Sequence, residues 1–415
     1  MTHTEEPRIQ VGILFEPKIE FVLYTPFHTD GEEDDVRGPQ TVRYERGKIA
    51  WRDGLYDELI FTPADEAAAS FELLDVTIGI NFHWQRKEDQ CFRGALKFMV
   101  EGGKLTAVNI IRTEEYLTSV ISSEMSAHAS SELLKAHAII SRSWLMRNLS
   151  AHPHYNVCAD DHCQRYQGIT RATTDRVRQA VADTRGRVLT YHGEICDARY
   201  SKCCGGVMEE FQYAWEDVPH PYLKGKRDSM LVTTLPPLMQ EPDAERWIRS
   251  APEAFCNTAD KQVLSQVLNS YDQETVNFFR WEVAYTQDEL AALIRQRSGI
   301  DYGGIVDLIP VARGTSGRIW QLRIVGTLHT QVIGKELEIR RTLSPSHLYS
   351  AAFIVDKKGV TPDGLPARFV LTGAGWGHGV GLCQIGAAVM SERGYDYEQI
   401  LLHYYDNAQI EPLYE

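Results

Sequence analysis

The apolar pattern of this chain changes period near residue 112, and that change limits the folds open to it. Residues 8–25 alternate, with Ile9, Val11 and Ile13 and then Phe21 and Leu23 at every second position. A period of two is that of a half-buried strand. Strand-like runs continue to 105–111, separated by turn signals such as Glu101-Gly102-Gly103-Lys104. From Thr113 to Met125 the spacing becomes helical, with Tyr116, Leu117, Val120 and Ile121 on one face. A second helix is expected from a cap at Ser130 or Ser131 to about Leu149, with Leu133, Leu134, His137, Ala138, Ser141, Trp144 and Leu145 as its inner stripe. A third spans roughly 173–184, followed by strands near 188–191 and 195–200.

Residues 228–290 are less regular, with Pro236-Pro237 and acidic helical segments, and read as an inserted or peripheral subregion. Strand-like alternation returns over 305–357, as at Ile319, Leu322 and Ile324. A Gly-rich loop at 373–386 leads into a helix to about Arg393, and a short helix follows at 396–405. Strands, then helices, then strands predict an α+β fold: a mixed, β-rich core with a helical pair and a peripheral insertion. The expected divisions are an N-terminal β-rich part (1–112), a helical and His/Cys core segment (113–227), the insertion (228–300) and a C-terminal β segment (301–415). At 415 residues, 43% hydrophobic and 24% charged, the chain can bury a large core and a second lobe.

Charge narrows the partners. The 57 acidic and 43 basic residues leave a net charge of −14 with no long basic run, which argues against a nucleic-acid partner. No window reaches the apolar length of a membrane helix. Residues 1–10 are polar and acidic, without the apolar stretch of a secretory leader.

Four constellations could carry chemistry. Leu117, Val120, Ile121 and Glu124 fall at i, i+3, i+4 and i+7, so Glu124 ends the apolar face rather than the wet one. Apolar walls favour a protonated carboxyl, which suits a general acid that later acts as base. Spacing alone equally allows a helix-end Glu making a local hydrogen bond. Second, His152, His154, Cys158, His162 and Cys163 place five potential ligands within twelve residues. Thiolate with imidazole favours zinc, through Cys158, Cys163 and two of the three histidines. Four protein ligands would make that site structural; a redox-inert loop with a disulfide is the alternative. Third, Tyr200-Ser201-Lys202-Cys203-Cys204-Gly205-Gly206 is either a tight turn with buried thiols or the seat of a Cys nucleophile. Fourth, residues 373–381 hold five glycines in nine residues. Such a loop suits close approach to a groove, where Trp376 could stack on a sugar while His378 and Gln384 bond hydroxyls. All eight cysteines (Cys91, Cys158, Cys163, Cys196, Cys203, Cys204, Cys256 and Cys383) read as free thiols or metal ligands as readily as disulfides.

In this order the pieces resemble the SpoIID/LytB family of sporulation lytic transglycosylases and amidase enhancers. The resemblance is carried by Glu114-Glu115-Tyr116-Leu117, Ser123-Glu124-Met125, and Leu134-Lys135-Ala136 to Ser141-Arg142-Ser143. It continues through Cys158 to Gln164 with Tyr166 and Gly168, Gly205-Gly206, Pro221-Tyr222-Leu223, and 375–387 with His403-Tyr404-Tyr405. It implies glycan-strand cleavage in peptidoglycan with Glu124 as the single acid/base, giving anhydro-muramyl products. It also implies glycan contacts from Arg142, Tyr200, Trp376, His378 and Gln384. A structural zinc is implied on Cys158 and Cys163 with His152 and His162, His154 competing. The family's other role implies a non-catalytic enhancer of a cell-wall amidase. Cys203, Cys204 and Cys383 depart from the family's usual serines. The implied substrate places the protein in the cell envelope, periplasm or extracellular space, whereas residues 1–10 leave a cytoplasmic location open.

Overall fold

The computed structural model describes residues 5–30, 34–79, 85–126, 129–160, 162–171, 174–267 and 276–415. By contacts the chain divides into two compact units. Unit 1 comprises residues 1–127, 134–197 and 410–415, and unit 2 comprises 128–133 and 198–409.

Unit 1 begins with ten strands: β1 (Arg8–Glu16), β2 (Lys18–His28), β3 (Val36–Glu45), β4 (Lys48–Trp51), β5 (Gly54–Tyr56), β6 (Glu58–Pro63), β7 (Phe71–Ile78), β8 (Arg86–Phe92), β9 (Ala95–Glu101) and β10 (Lys104–Arg112). Then come α1 (Thr113–Glu124), α2 (Ser131–Arg147), β11 (Val157–Cys158), α3 (Asp175–Asp183), β12 (Arg187–Tyr191) and β13 (Glu194–Ile195). The large sheet runs β11-β1-β10-β9-β6-β2-β3-β4-β5, with β7 joined to β2 and β8 to β7. Antiparallel pairing of β1 with β10 sets Ile9 opposite Ile111. β11 lies parallel to β1 with Cys158 opposite Gly12, which puts Cys158 at the sheet edge. The alternating residues do what their period requires. Ile9, Val11, Phe21, Leu23, Phe61 and Phe98 are buried in one cluster with Tyr116, Leu117 and Val120 of α1. Each large apolar side chain so buried contributes about 1.5–3 kcal/mol, and this is what holds α1 to the sheet.

Unit 2 contains β14 (Tyr200–Ser201), α4 (Phe211–Ala214), α5 (Glu241–Arg249), α6 (Lys261–Val267), β15 (Arg280–Thr286), α7 (Gln287–Ser298), β16 (Ile305–Arg313), β17 (Ile319–Gly326), β18 (Thr330–Ile333), α8 (Glu336–Thr342), β19 (Phe353–Val360), β20 (Pro366–Ala374), β21 (Leu382–Cys383), α9 (Gln384–Glu392) and α10 (Tyr397–Tyr404). Its sheets are β15-β20-β19, β16-β17-β18 and the parallel pair β14-β21. Trp281, Leu290, Ile294, Ile319, Leu322 and Phe353 lie in its main core. A final strand, β22 (Gln409–Pro412), completes a β13-β12-β22 sheet.

Strand outweighs helix, 36% to 24%, in a mixed fold with one large sheet and several smaller ones. The first two predicted helices fold as expected, and Ser130 caps the second by accepting a bond from the Leu133 N–H at 3.4 Å. The expected start of the third, at 173, lies outside the described residues. Two local readings differ. The strand expected over 195–200 is split into the ends of β13 and β14, because Tyr200 pairs with Leu382 while Cys196 still bonds Leu189. The run 305–357, read as strands, also contains α8. This helix makes two turns and buries only Glu336, Ile339 and Thr342, too few positions to show a helical period.

Candidate functional site

Glu124 is the last residue of α1. Leu117, Val120 and Ile121, which precede it on the same face, are fully buried, and Glu124 itself is half-buried. The helix stops there because Met125 turns to extended backbone (φ −113°, ψ 154°). Glu114 and Glu115 in the first turn suit the positive end of the helix dipole. Ser122 and Ser123 bond back to the Thr118 and Ser119 carbonyls, so both hydroxyls are used within the helix. Thr118, Ser119 and Ser122 also line a cavity of about 570 Å³, together with Glu115, Arg171 and Tyr166.

Arg142, expected at the glycan, is instead wholly inside unit 1. Its Nε and one terminal nitrogen bond both Glu114 oxygens at 3.0 and 2.6 Å, and the other terminal nitrogen bonds the Arg187 carbonyl at 2.9 Å. With 0% of the residue exposed, no part of the guanidinium is left for a ligand. The Tyr414 hydroxyl also donates to Glu114. Arg142 therefore locks α1 to α2, β12 and the C-terminal segment.

The His/Cys loop follows α2. His152, Cys158, His162 and Cys163 bring four donor atoms within 4.8 Å of one another. Cys163 Sγ lies 3.4 Å from His152 Nε2 and 3.6 Å from His162 Nδ1, and Cys158 Sγ lies 4.0 Å from His162 Nδ1. A tetrahedral ion with bonds of about 2.0–2.3 Å needs ligand edges of roughly 3.4–3.8 Å, so the donor set fits such an ion. The neighbours His162 and Cys163 can both face the centre because the chain turns there, Cys163 N–H bonding Asp160 C=O at 3.0 Å. His154 is exposed and outside the group. The hydrogen bond from Cys163, helped by the Asp160 backbone and His152, draws the Cys158 thiol down to about 5 against the effect of burial. Cys158 and His162 face a cavity of about 760 Å³ that also reaches Tyr155 and Arg165. The loop is pinned to both helices. Tyr116 of α1 stacks on Tyr166 (centroids 5.0 Å apart) and donates to Gln164, which in turn donates to Ser141 C=O of α2.

In unit 2 the Gly-rich loop packs against the turn at 203–206. Cys203 and Trp376 exchange two backbone bonds of 3.0 and 2.8 Å. Gly381 is required by space: with φ +72°, a Cβ there would sit 2.0 Å from the Arg199 carbonyl oxygen. Tyr200 is half-buried in β14. Trp376 is half-buried, one face stacked on Phe278 at 4.8 Å. His378 Nδ1 accepts from the Val380 N–H at 3.0 Å, and its ring meets Trp215 at 4.7 Å. Burial, with the Arg199 and Arg318 charges, pushes its pKa well below the usual imidazole range, so it is neutral. Gln384 is 2% exposed in the first turn of α9. Of the two residues expected to bond sugar hydroxyls, Gln384 is held within the protein, whereas His378 is half-buried.

Residues 101–191 match the family described as Stage II sporulation protein, a span that includes α1, Glu124, α2 and the His/Cys loop. In that stretch the chain is similar to the SpoIID family, as the sequence resemblance implied. It is similar to a Stage II sporulation protein D of Bacillus amyloliquefaciens, 24% identical over 321 residues, covering 73% of this chain and 75% of that one. It is also 27% identical over 296 residues to an amidase enhancer of Bacillus subtilis, covering 70% of this chain and 39% of the relative. An uncharacterized protein of Brachyspira hyodysenteriae is 25% identical over 323 residues, covering 77% and 72%. Residues 209–381 match a family described as a domain of unknown function. No helix among the described residues is long and apolar enough to cross a membrane.

The chain also holds a second donor group that spacing did not disclose. Cys204, Asp228, Cys256 and Cys383 are buried, with donor atoms within 4.8 Å of one another, so they could hold a metal. Burial pushes the Cys203, Cys204 and Cys256 thiols well above their usual pKa. A nucleophilic cysteine needs the opposite, which disfavours Cys203 and Cys204 as nucleophiles. Asp228 and Cys256 carry no local motif. Cys203, Cys204, Cys256 and Cys383 are four of the five cysteines that follow the His/Cys loop, Cys196 being the fifth, and nothing in their spacing groups them.

Proposed function

We propose that this protein cleaves peptidoglycan glycan strands by lytic transglycosylation, with Glu124 as the acid/base. The observation that carries this reading is the position of Glu124. It is a half-buried carboxylate closing the buried face of α1, inside the segment that matches the sporulation family. Hydrolysis of a glycosidic bond uses two carboxylates; a single carboxylate is sufficient when the sugar supplies its own nucleophile. The Glu124 carboxyl donates its proton to the glycosidic oxygen as the bond to the anomeric carbon breaks. A hydroxyl of the same muramyl residue then forms a new bond to that carbon and returns its proton to Glu124. The ring closes, no water is consumed and the carboxyl is regenerated. Tyr200, Trp376 and His378, each half-buried in unit 2, would offer polar and aromatic groups to a glycan there.

His152, Cys158, His162 and Cys163 would hold a structural zinc. When bound, the ion supplies a cross-link rather than a reacting centre, because four protein ligands leave no open position. The loop they close carries Gln164 and Tyr166, whose contacts with Tyr116 brace α1 and so position Glu124.

The test is mass spectrometry of glycan strands, with and without stem peptides, after incubation with the purified protein. Anhydro-muramyl ends are expected, and Glu124→Gln should lower their rate of appearance by about 10²–10⁴-fold. Wild type yielding no such ends, or a fully active Glu124→Gln, would overturn the assignment. The likeness to the amidase enhancer favours one alternative, a glycan-binding partner of a cell-wall amidase. On that reading the protein forms no anhydro ends but accelerates an added amidase. Either role places it in the cell envelope.

A further inference from the structure

We infer that Cys204, Asp228, Cys256 and Cys383 form a second zinc centre, buried in unit 2 and distinct from the His/Cys loop. Four remote segments converge here: the 203–206 turn, the residue after Arg227, the loop after α5, and the end of β21. All four donors are buried. Cys204 Sγ and Cys256 Sγ are 3.5 Å apart. That is far beyond the ~2.05 Å of a disulfide and close to the edge of roughly 3.8 Å between two sulfurs on one zinc ion. An iron–sulfur cluster would need room among the thiolates for its own irons and sulfides, which this spacing does not give. Three thiolates and a carboxylate suit zinc.

The surroundings are those of a held ligand set. Asp228 is fully buried, yet each oxygen is oriented: Oδ1 accepts from the Tyr404 hydroxyl at 2.8 Å and Oδ2 from the Cys256 N–H at 2.9 Å. The Cys204 N–H points at Cys383 Sγ from 3.2 Å. His403 Nε2, buried and without a hydrogen-bond partner among the described residues, lies 3.7 Å from Asp228 Oδ1. Outer partners of this kind fix metal-binding carboxylates and thiolates in place. The charges also balance. Three thiolates and a carboxylate around a divalent ion leave two negative charges, and Arg227 and Arg280 act electrostatically on these cysteines. Without an ion, a carboxylate enclosed with this many thiols is costly to bury.

Such an ion would anchor the Gly-rich loop. Cys383 immediately precedes α9, and Cys204 belongs to the turn whose Cys203 pairs with Trp376. The cysteines that depart from the family's usual serines thus become ligands or their neighbours.

The test uses the full chain, produced with zinc in the growth medium and purified without a chelator. Crystals measured at the zinc absorption edge should show two anomalous peaks, one of them enclosed by Cys204, Asp228, Cys256 and Cys383. Elemental analysis should give two zinc ions per wild-type chain, and one each for Cys163→Ser and Cys256→Ser. A single peak at the His/Cys loop would overturn the inference. So would a Cys204–Cys256 disulfide in the intact mass or the density. The crystal measurement needs no variant, so a misfolded Cys256→Ser would leave the inference open to refutation, and neither result depends on whether Glu124 is catalytic.

Discussion

The two donor clusters differ in how they are built. The one in unit 1 comes from a single stretch, 152–163, with His162 exposed at its edge. The one in unit 2 is assembled from positions 204, 228, 256 and 383 and is wholly enclosed. A local cluster depends on little beyond its own loop, so it can form early and exchange its contents with solvent. An assembled one exists only when the unit around it is complete, and its contents are shielded.

Chelation tests that difference most strongly. Excess chromogenic chelator should withdraw zinc in two phases, the faster lost in Cys163→Ser and the slower in Cys256→Ser. Removing both ions should lower stability by several kcal/mol, since metal affinity in such sites is largely folding energy. A single phase would erase the distinction. Next in size is Arg142→Ala, which leaves Glu114 without its buried bidentate partner. A loss of about 3–5 kcal/mol is expected in urea unfolding, whereas under 1 kcal/mol would mean that α1 is not held by this pair.

Unit 2 has a pH signature. Burial raises the carboxyl of Glu209, which is 1% exposed, from its ordinary 4.5 to about 7, against hydrogen bonds from Ser316 and the Glu210 backbone. The folded state therefore binds the proton more tightly than the unfolded chain. Its contribution is complete below about pH 4.5 and is lost as pH rises through about 7. The change is roughly 3 kcal/mol at most. Urea midpoints across this range should fall more steeply for wild type than for Glu209→Gln; parallel profiles would assign the pH dependence elsewhere. The smallest effect is that of Gly386→Ala. The added Cβ would lie 2.3 Å from the Tyr404 hydroxyl and 2.8 Å from both Asp228 oxygens. A cost of about 1–3 kcal/mol is expected, with weaker zinc retention at the buried cluster while that at the His/Cys loop is unchanged.

The same contrast explains what could be read from the sequence. The helical stripe ending at Glu124 and the donor group at 152–163 were legible because periodicity and spacing are local properties. The choice between His152 and His154 was not, because it depends on how the loop folds around Tyr155, on which the His152 ring stacks. Arg142 was expected at the glycan because the resemblance implied it. Its burial follows from Glu114, 28 positions earlier, being held opposite it. Asp228 and Cys256 gave no signal, since their partner Cys383 lies more than a hundred residues away in the chain.

Residues 410–415 belong to unit 1, although all of 198–409 is synthesised before them. Domains generally fold in order as the chain emerges from the ribosome, and here that order is interrupted. Until its last segment arrives, unit 1 lacks β22 beside β12, and Tyr414 cannot reach Glu114. The helix that carries Glu124 is therefore fully clamped only after unit 2 has been made.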